Sequence, residues 1–359
     1  MDQSIIIAAI LSPFILFFLL GYLVIWFKSD IRFPPAMSQG MQIFLLLAIG
    51  LGGGVKVAAA IKNDSANLQI LFSSMMFTFI IGVLLTVVAF FVVYKVVGLD
   101  ASNAGAIAAH NGAVSTATMI IGIAFLSEMP FEEFSFAVVL YPIMDVPALV
   151  TGIALGNVFL AREKARKANN DGKNQSMTAE KRKATNSEAS SIKQIVLESL
   201  VGKGVLLIIA GVAIGLISGL YSTKSITDVM VFFDGLFVGV LCLYLMEMGM
   251  IAASRLGELW NNRKQVGKVV VYAIMYPFIV GPLLLVIGWL LNFDPYMATF
   301  IAILGASSSY VSAPAACRAA LPKANPSLYV GQSLAIIFPL NVVVNIPFVL
   351  LPLSEFLYQ

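Results

Sequence analysis

His110-Asn111-Gly112-Ala113-Val114-Ser115-Thr116-Ala117-Thr118 interrupts an otherwise apolar stretch running from Ala101 to Leu126. Small, hydroxylated and amide side chains are poor material for a continuous helix facing lipid. A second run, Gly305-Ala306-Ser307-Ser308-Ser309-Tyr310-Val311-Ser312-Ala313-Pro314, interrupts the stretch Met297 to Ala320 in the same way. Polar, irregular backbone at membrane depth is tolerated only where protein or a water-filled cavity satisfies it. Both runs are therefore expected to be broken helices, with Ser115 and Ser312 as N-caps of the half-helices that follow and Pro314 in a first turn.

The rest of the chain supplies the membrane setting. Its 359 residues are 59% hydrophobic and 11% charged, which leaves too little polar side chain to cover a soluble domain. Apolar stretches of about twenty residues, enough to cross about 30 Å of hydrocarbon, recur from end to end. Ten spans are expected: Ser4 to Phe27, Met41 to Ile61, Leu68 to Tyr94, Ala101 to Leu126, Phe134 to Ala161, Ser199 to Gly219, Ile226 to Ala252, Val266 to Leu291, Met297 to Ala320 and Tyr329 to Leu351. The first lacks a basic lead-in and a small-residue cleavage site, so it reads as a span and not as a signal peptide. Cys242 and Cys317 form no pairing or metal-ligand pattern and read as packing residues.

Lysine and arginine set the orientation. With the N-terminus outside, inner loops hold Lys28, Arg32, Lys95, the cluster from Arg162 to Lys203, Arg255, Arg263, Lys264, Lys268, Arg318 and Lys323. Outer positions hold only Lys56, Lys62 and Lys224, with Glu128, Glu132 and Glu133 in an outer loop. The positive-inside rule then places both termini outside. The net charge of +3 restates this asymmetry and implies no nucleic-acid partner.

The polar stretch 162–194 is expected to be a cytoplasmic linker between two halves, 1–161 and 195–359. It reads as a solvated connector or as a docking place for a regulatory partner. The halves show a weak repeat at one offset: Ser115 with Ser312, Pro142 with Pro339, Gly52 with Gly249, Ala109 with Ala306 and Val114 with Val311, as in 312 − 115 = 197. Five spans per half, an odd number, require the second to enter the bilayer from the opposite side. That is the inverted-repeat plan of secondary transporters, with binding sites at the repeat interface near the midplane.

Two half-helix N-termini meeting there would present free N–H groups and positive dipole ends to one small cavity, an anion site. Its expected members are Gly112, Ala113, Val114, Ser115 and Thr116 from the first break, and Ser307, Ser308, Ser309 and Ser312 from the second. The competing reading is that small residues only allow close helix packing. Intramembrane ionisable residues are site candidates by default. Asp145, in Tyr141-Pro142-Ile143-Met144-Asp145-Val146-Pro147, is expected mid-helix between prolines that free carbonyls for a cation. It reads as a sodium ligand or a proton carrier in preference to a structural hydrogen-bond acceptor. A three-residue slip, 345 − 145 = 200, pairs it with Asn345 and pairs Pro147 with Pro347; Asn341 lies in the same region. His110 reads either as a pH reporter or as a satisfied packing residue. Glu247 is a further candidate, Asp234 lies nearer the outer end of the same span, and Lys56 is expected to snorkel outward. Gly50-Leu51-Gly52-Gly53-Gly54 and the ladder Gly211, Gly215, Gly219 predict close helix contact. No nucleophile with a base, no catalytic carboxylate pair and no His/Cys cluster appears, so an enzyme is not expected. Neither is a cofactor, or a metal beyond a sodium ion at Asp145.

These same segments resemble the sodium-dependent bicarbonate transporter family best known from cyanobacteria. The likeness lies in Gly112-Ala113-Val114-Ser115, in Tyr141 to Thr151, in Met248-Gly249-Met250 and Ser254-Arg255-Leu256-Gly257-Glu258-Leu259, in Ala306-Ser307-Ser308-Ser309, and in Arg318-Ala319-Ala320-Leu321-Pro322 with Ala324-Asn325-Pro326-Ser327. The resemblance implies ten helices in two inverted repeats, a gate and a core domain, a homotrimer, and sodium-coupled bicarbonate uptake by an elevator-like movement. It also implies substrate contacts from Ala113, Val114, Ser115, Ser307, Ser308 and Ser309, a coupling role for Asp145, and a small PII-like cytoplasmic regulator as a partner. The sequence departs from the pattern at Tyr310, where the family has an acidic residue, which weakens the expectation of sodium ligation on that side. Asn341 and Asn345 replace smaller residues, and His110-Asn111 replaces apolar ones.

The expectation is thus an all-helical inner-membrane transporter, surrounded by lipid, that imports bicarbonate or a similar small anion with sodium. The alternatives are a proton-coupled carrier of another small anion, suggested by Tyr310 and His110, and a membrane receptor or scaffold whose linker binds a soluble partner.

Overall fold

The computed structural model describes residues 13–63, 67–131, 137–170, 203–261, 263–310 and 312–359, and the regular structure among them is helical. The first half contains α1 (Pro13–Trp26), α2 (Pro35–Asn63), α3 (Asn67–Phe91, running on as a π-helical turn Val92–Val97), α4 (Ala101–Gly112), α5 (Thr116–Leu126) and α6 (Leu140–Asn170). The second contains α7 (Lys203–Tyr221), α8 (Thr223–Asn261), α9 (Arg263–Leu290), α10 (Pro295–Ala306), α11 (Ser312–Ala320) and a C-terminal helical region α12 (Pro326–Leu357). π-helical windings at Ser333–Ile337 and Asn341–Leu350 interrupt α12.

Among the described residues, seven helical stretches are long and apolar enough to cross a membrane. The other expected spans fall on shorter apolar helices, Pro13–Trp26, Leu206–Tyr221 and Pro295–Ala306. Burial separates the roles of the long ones. Within Ala101–Leu126 the most apolar 18 residues are 94% buried in the protein, whereas those of Thr223–Arg255 are only 28% buried, and that helix shows Val231, Phe232, Leu236 and Val238 to the outside. A helix apolar on all sides and exposed has lipid or another apolar surface as its solvent.

The glycine runs act as the sequence predicts. A Cβ on Gly54 would lie 2.2 Å from the Val212 carbonyl oxygen, and one on Gly215 would lie 2.2 Å from that of Leu51, so α2 and α7 touch backbone to backbone. Gly21 against Met246 and Gly249 against Phe18 bring α1 onto α8 equally closely. Without a hydrophobic drive between helices in lipid, such contacts supply the packing attraction that holds helices together. The four helices α1, α2, α7 and α8 form one packed group by these pairings. The others form a second around α4, which lies against α6 and α3, while α10 lies against α9.

Two expectations need correction. The offset of 197 fails in the helices before the breaks. α4 and α10 are both twelve residues long and both begin after an aspartate whose carboxylate caps two amides, Asp100 and Asp294, and 294 − 100 = 194. Ala306 ends α10, whereas Ala109 lies almost a turn before the end of α4, so the two do not hold matching places in these helices. Pro142 is the third residue of α6, which a 3-10 turn at Ala137–Val139 precedes without a gap, and Pro147 inside α6 deprives Ile143 of its intrahelical donor. Asp145 lies between the two prolines, the ninth residue of the continuous helical span Ala137–Glu163. Finally, α6 continues to Asn170, so the first residues of the expected linker are helical. Residues 1–12, Glu132, Glu133 and the linker from 171 onward lie outside the described residues.

Candidate functional site

Both expected breaks exist, and they meet. α4 stops at Gly112 because Ala113 turns extended (φ −81°, ψ 152°), and a Cβ on Gly112 would strike the Thr86 hydroxyl of α3. Gly112 thus serves close packing at the end of the helix. Three residues later Ser115 starts α5, its hydroxyl accepting the Thr118 amide at 3.2 Å. A cap of this kind contributes about 1 kcal/mol. In the second half α10 stops at Ala306, where Ser307 turns extended (φ −80°, ψ 173°). Ser312 is the first helical residue of α11 instead of the capping residue before it; its side chain lies outside the described residues.

The two breaks are stitched together. The Ser115 amide donates to the Ser307 hydroxyl at 3.0 Å, and that hydroxyl donates to the Leu304 carbonyl at 2.6 Å. The Ser309 amide is shared between the carbonyls of His110 at 2.7 Å and Ala113 at 3.2 Å. The Ser308 hydroxyl donates to the Asn111 side-chain oxygen at 2.7 Å. Asp145, fully buried, reaches across from α6 and accepts the Val114 amide at 3.0 Å. The Thr116 hydroxyl meets the Tyr141 hydroxyl at 3.0 Å.

Sequence reasoning placed free amides at this crossing, and the structure corrects it in part. The amides of Val114, Ser115 and Ser309 already have protein acceptors, so the crossing is closed by its own chain. The amides of Thr116 and Ala117, at the first two positions of α5, have no intrahelical acceptor. They carry the positive end of that helix to the junction.

Asn341 and Asn345 lie in the π-helical winding of α12 and are fully buried. Asn341 donates to the Ala306 carbonyl at 2.8 Å, so it, and not the slip-matched Asn345, is the residue that touches the second break. Asn345 donates to the Pro277 carbonyl at 3.2 Å and to Oδ1 of Asn341 at 2.9 Å, while its own Oδ1 is buried with no partner. π windings of this kind gather at functional sites.

The geometry amounts to two interrupted membrane helices, one from each half, crossed at their breaks with a buried carboxylate on one break and carbonyl-rich amides on the other. Against this site the sequence signature of the Na+-dependent bicarbonate transporter superfamily matches residues 13–352. The chain belongs to this superfamily. No curated protein matches it. Membership makes it an integral membrane transporter and not an enzyme, in keeping with its apolar helices.

Several residues that build the site in this superfamily member escaped the sequence reading. Tyr276 of α9 donates its hydroxyl to the Asn111 carbonyl and, at 3.1 Å, to the Gly305 carbonyl, tying both breaks to one side chain. Tyr272 accepts from the Asn111 amide nitrogen at 2.9 Å. Gln332 and Ser333 of α12 hold Asn111 and Ser308 from the other side, at 2.6 Å in each case. The Tyr276-Pro277 pair resembles Tyr141-Pro142 and was the available signal.

Other candidates lie off the crossing. His110 is fully buried, with Nδ1 on the Ala106 carbonyl at 2.7 Å and its ring 4.6 Å from that of Tyr329, while Nε2 is buried with no hydrogen-bond partner, so the ring packs but is only half satisfied. Lys56 and Asp234 line a cavity of about 530 Å³ with Ser127, Thr227 and Tyr296. Tyr310 directs its hydroxyl to the Met248 sulfur of α8 at 3.2 Å.

Proposed function

We propose that the protein is a secondary active importer of bicarbonate, or a similar small monoanion, driven by an inward sodium gradient through alternating access. The observation that carries this reading is the adjacency of Val114 and Ser115: one amide is held by Asp145 and the next by the second break. Substrate contacts come from Gly112, Ala113, Val114, Ser115 and Thr116 with Ser307, Ser308, Ser309 and Ser312, around the start of α5. Its outward amides and dipole favour one negative charge.

Asp145 makes that preference conditional. Two like charges 4 Å apart at an effective dielectric near 20 repel by about 4 kcal/mol. An ionised Asp145 thus disfavours the anion until a monovalent cation neutralises it, so each ion raises the affinity for the other. Asn341 and Asn345 add neutral oxygen donors, which suit a weakly charged cation without overloading the site with negative charge. Sodium is here cargo, carried with the anion.

The wider reading follows the same evidence. Support for ten helices in two inverted repeats comes from the equal lengths and caps of α4 and α10, and from the exchanged pairing in which α1 packs on α8 while α7 packs on α2. The exposed apolar face of α8 agrees with burial in lipid or in a homotrimer. The lysine and arginine distribution supports a bacterial cytoplasmic membrane with both termini outside and the central linker inside, where a PII-like protein would dock.

Purified protein in liposomes tests the function. Labelled bicarbonate should accumulate above equilibrium when sodium is higher outside, and accumulation indifferent to the sodium gradient rejects the coupling.

A further inference from the structure

A second buried carboxylate lies away from the crossing. Glu247 of α8 is 7% exposed; Ser38, in the first turn of α2, donates its hydroxyl to Oε1, and Oε2 is buried with no partner. A carboxylate oxygen left unpartnered at membrane depth costs several kcal/mol unless something neutralises it. The residue that follows, Met248, accepts the Tyr310 hydroxyl, and Tyr310 belongs to the second break. Glu247 therefore stands where the packed group α1, α2, α7 and α8 meets the group that holds the crossing.

Its titratable surroundings are sparse. Tyr244, one turn earlier on α8, and Tyr310 are the groups that feel its charge. α1 contributes only Tyr22, on a helix with no acid or base. The loop before α2 carries Asp30 and Arg32, whose guanidinium is engaged by the carbonyls of Ser29 and Ile31 at 2.7 Å each. Arg255 lies about two turns further along α8.

We propose that Glu247 is a proton-binding site at the contact between the two helical groups, and that its protonation sets how readily one group moves past the other. In the ionised state the carboxylate accepts the Ser38 hydroxyl and holds α2 to α8, next to the Tyr310 hydroxyl–Met248 contact that joins the second break to α8. When a proton from water binds Oε2, one O–H bond forms, the group becomes a neutral acid and the contact loosens. Transport then runs faster at acid pH, independently of the sodium and anion coupling at Asp145. This rests on the transport reading above.

The test has two arms. In the first, uptake by liposome-embedded protein is followed across pH at fixed free bicarbonate. Wild type should speed up as pH falls, Glu247→Gln should lose that dependence while keeping its response to sodium, and Ser38→Ala should move the inflection along the pH axis. In the second, infrared titration of the full chain should show a protonated-carboxyl band that disappears on raising pH and is missing from Glu247→Gln. A pH profile of Glu247→Gln superimposable on wild type, or no such band assignable to Glu247, overturns the proposal. Absence of bicarbonate uptake at every pH would instead remove the transport reading, and the infrared arm would still decide the proton site.

Discussion

The Val114 amide donates to Oδ1 of Asp145 at 3.0 Å, so one hydrogen bond joins the first break to the buried carboxylate of α6. An event that changes the charge at Asp145 changes the acceptor of that amide. The neighbouring residue, Ser115, is hydrogen-bonded to the second break. In the proposed function this short path is what would couple a cation at Asp145 to an anion at the start of α5.

Asp145→Asn separates charge from geometry. The amide oxygen still accepts from Val114, so the fold is retained, but the negative charge that calls for a cation is gone. Sodium-dependent uptake should be abolished while the elution volume on size exclusion is unchanged. Asp145→Ala also removes the acceptor, and the orphaned Val114 amide adds a stability loss of about 1–3 kcal/mol, read as a lower thermal midpoint.

Ser307→Ala removes the acceptor of the Ser115 amide and the donor to Leu304 together. The stitch between the breaks loosens, with a stability loss of about 1–3 kcal/mol and weaker bicarbonate binding. Ser307→Thr keeps the hydroxyl and should lose less than alanine. Thermal melts with and without bicarbonate read both effects.

Tyr276→Phe cuts the tie between α9 and both breaks at the cost of one oxygen. The carbonyls of Asn111 and Gly305 lose a common donor. The expected outcome is a lower thermal midpoint and slower uptake with sodium dependence intact, since Asp145 is untouched.

Gly54→Val tests the α2 and α7 crossing, remote from the site. Its Cβ would lie 2.2 Å from the Val212 carbonyl oxygen, backbone that has little room to shift. Overpacking of this kind costs about 1–3 kcal/mol or more, and the variant should show reduced yield of folded protein. Any uptake per folded molecule should keep the wild-type sodium response.

Much of this was legible in the sequence because the membrane makes it so. Asn111 to Thr118 and Ser307 to Ser312 stand out only because hydrocarbon tolerates no irregular backbone unless protein surrounds it. The glycine runs at Gly50 to Gly54 and Gly211 to Gly219 were readable for a similar reason, as lipid leaves backbone contact as the main source of helix attraction. An offset between the halves was harder to read, because identities such as Ala109 with Ala306 compete with the caps at Asp100 and Asp294, which align α4 with α10 at 194. Tyr272 and Gln332 were invisible because a lone polar side chain within an apolar helix does not announce which distant group it meets, and Tyr276 was marked only by the likeness of Tyr276-Pro277 to Tyr141-Pro142. Free amides were over-counted for a related reason: acceptors for Val114 and Ser309 come from residues brought near only by the fold.

The most direct test is bicarbonate binding to solubilised protein, measured by calorimetry at low and high sodium for wild type and Asp145→Asn. Linkage requires that a cation which helps the anion bind be helped by it in return. The account predicts that sodium tightens bicarbonate binding to wild type and leaves its binding to Asp145→Asn unchanged. An equal sodium effect in the two proteins would contradict it.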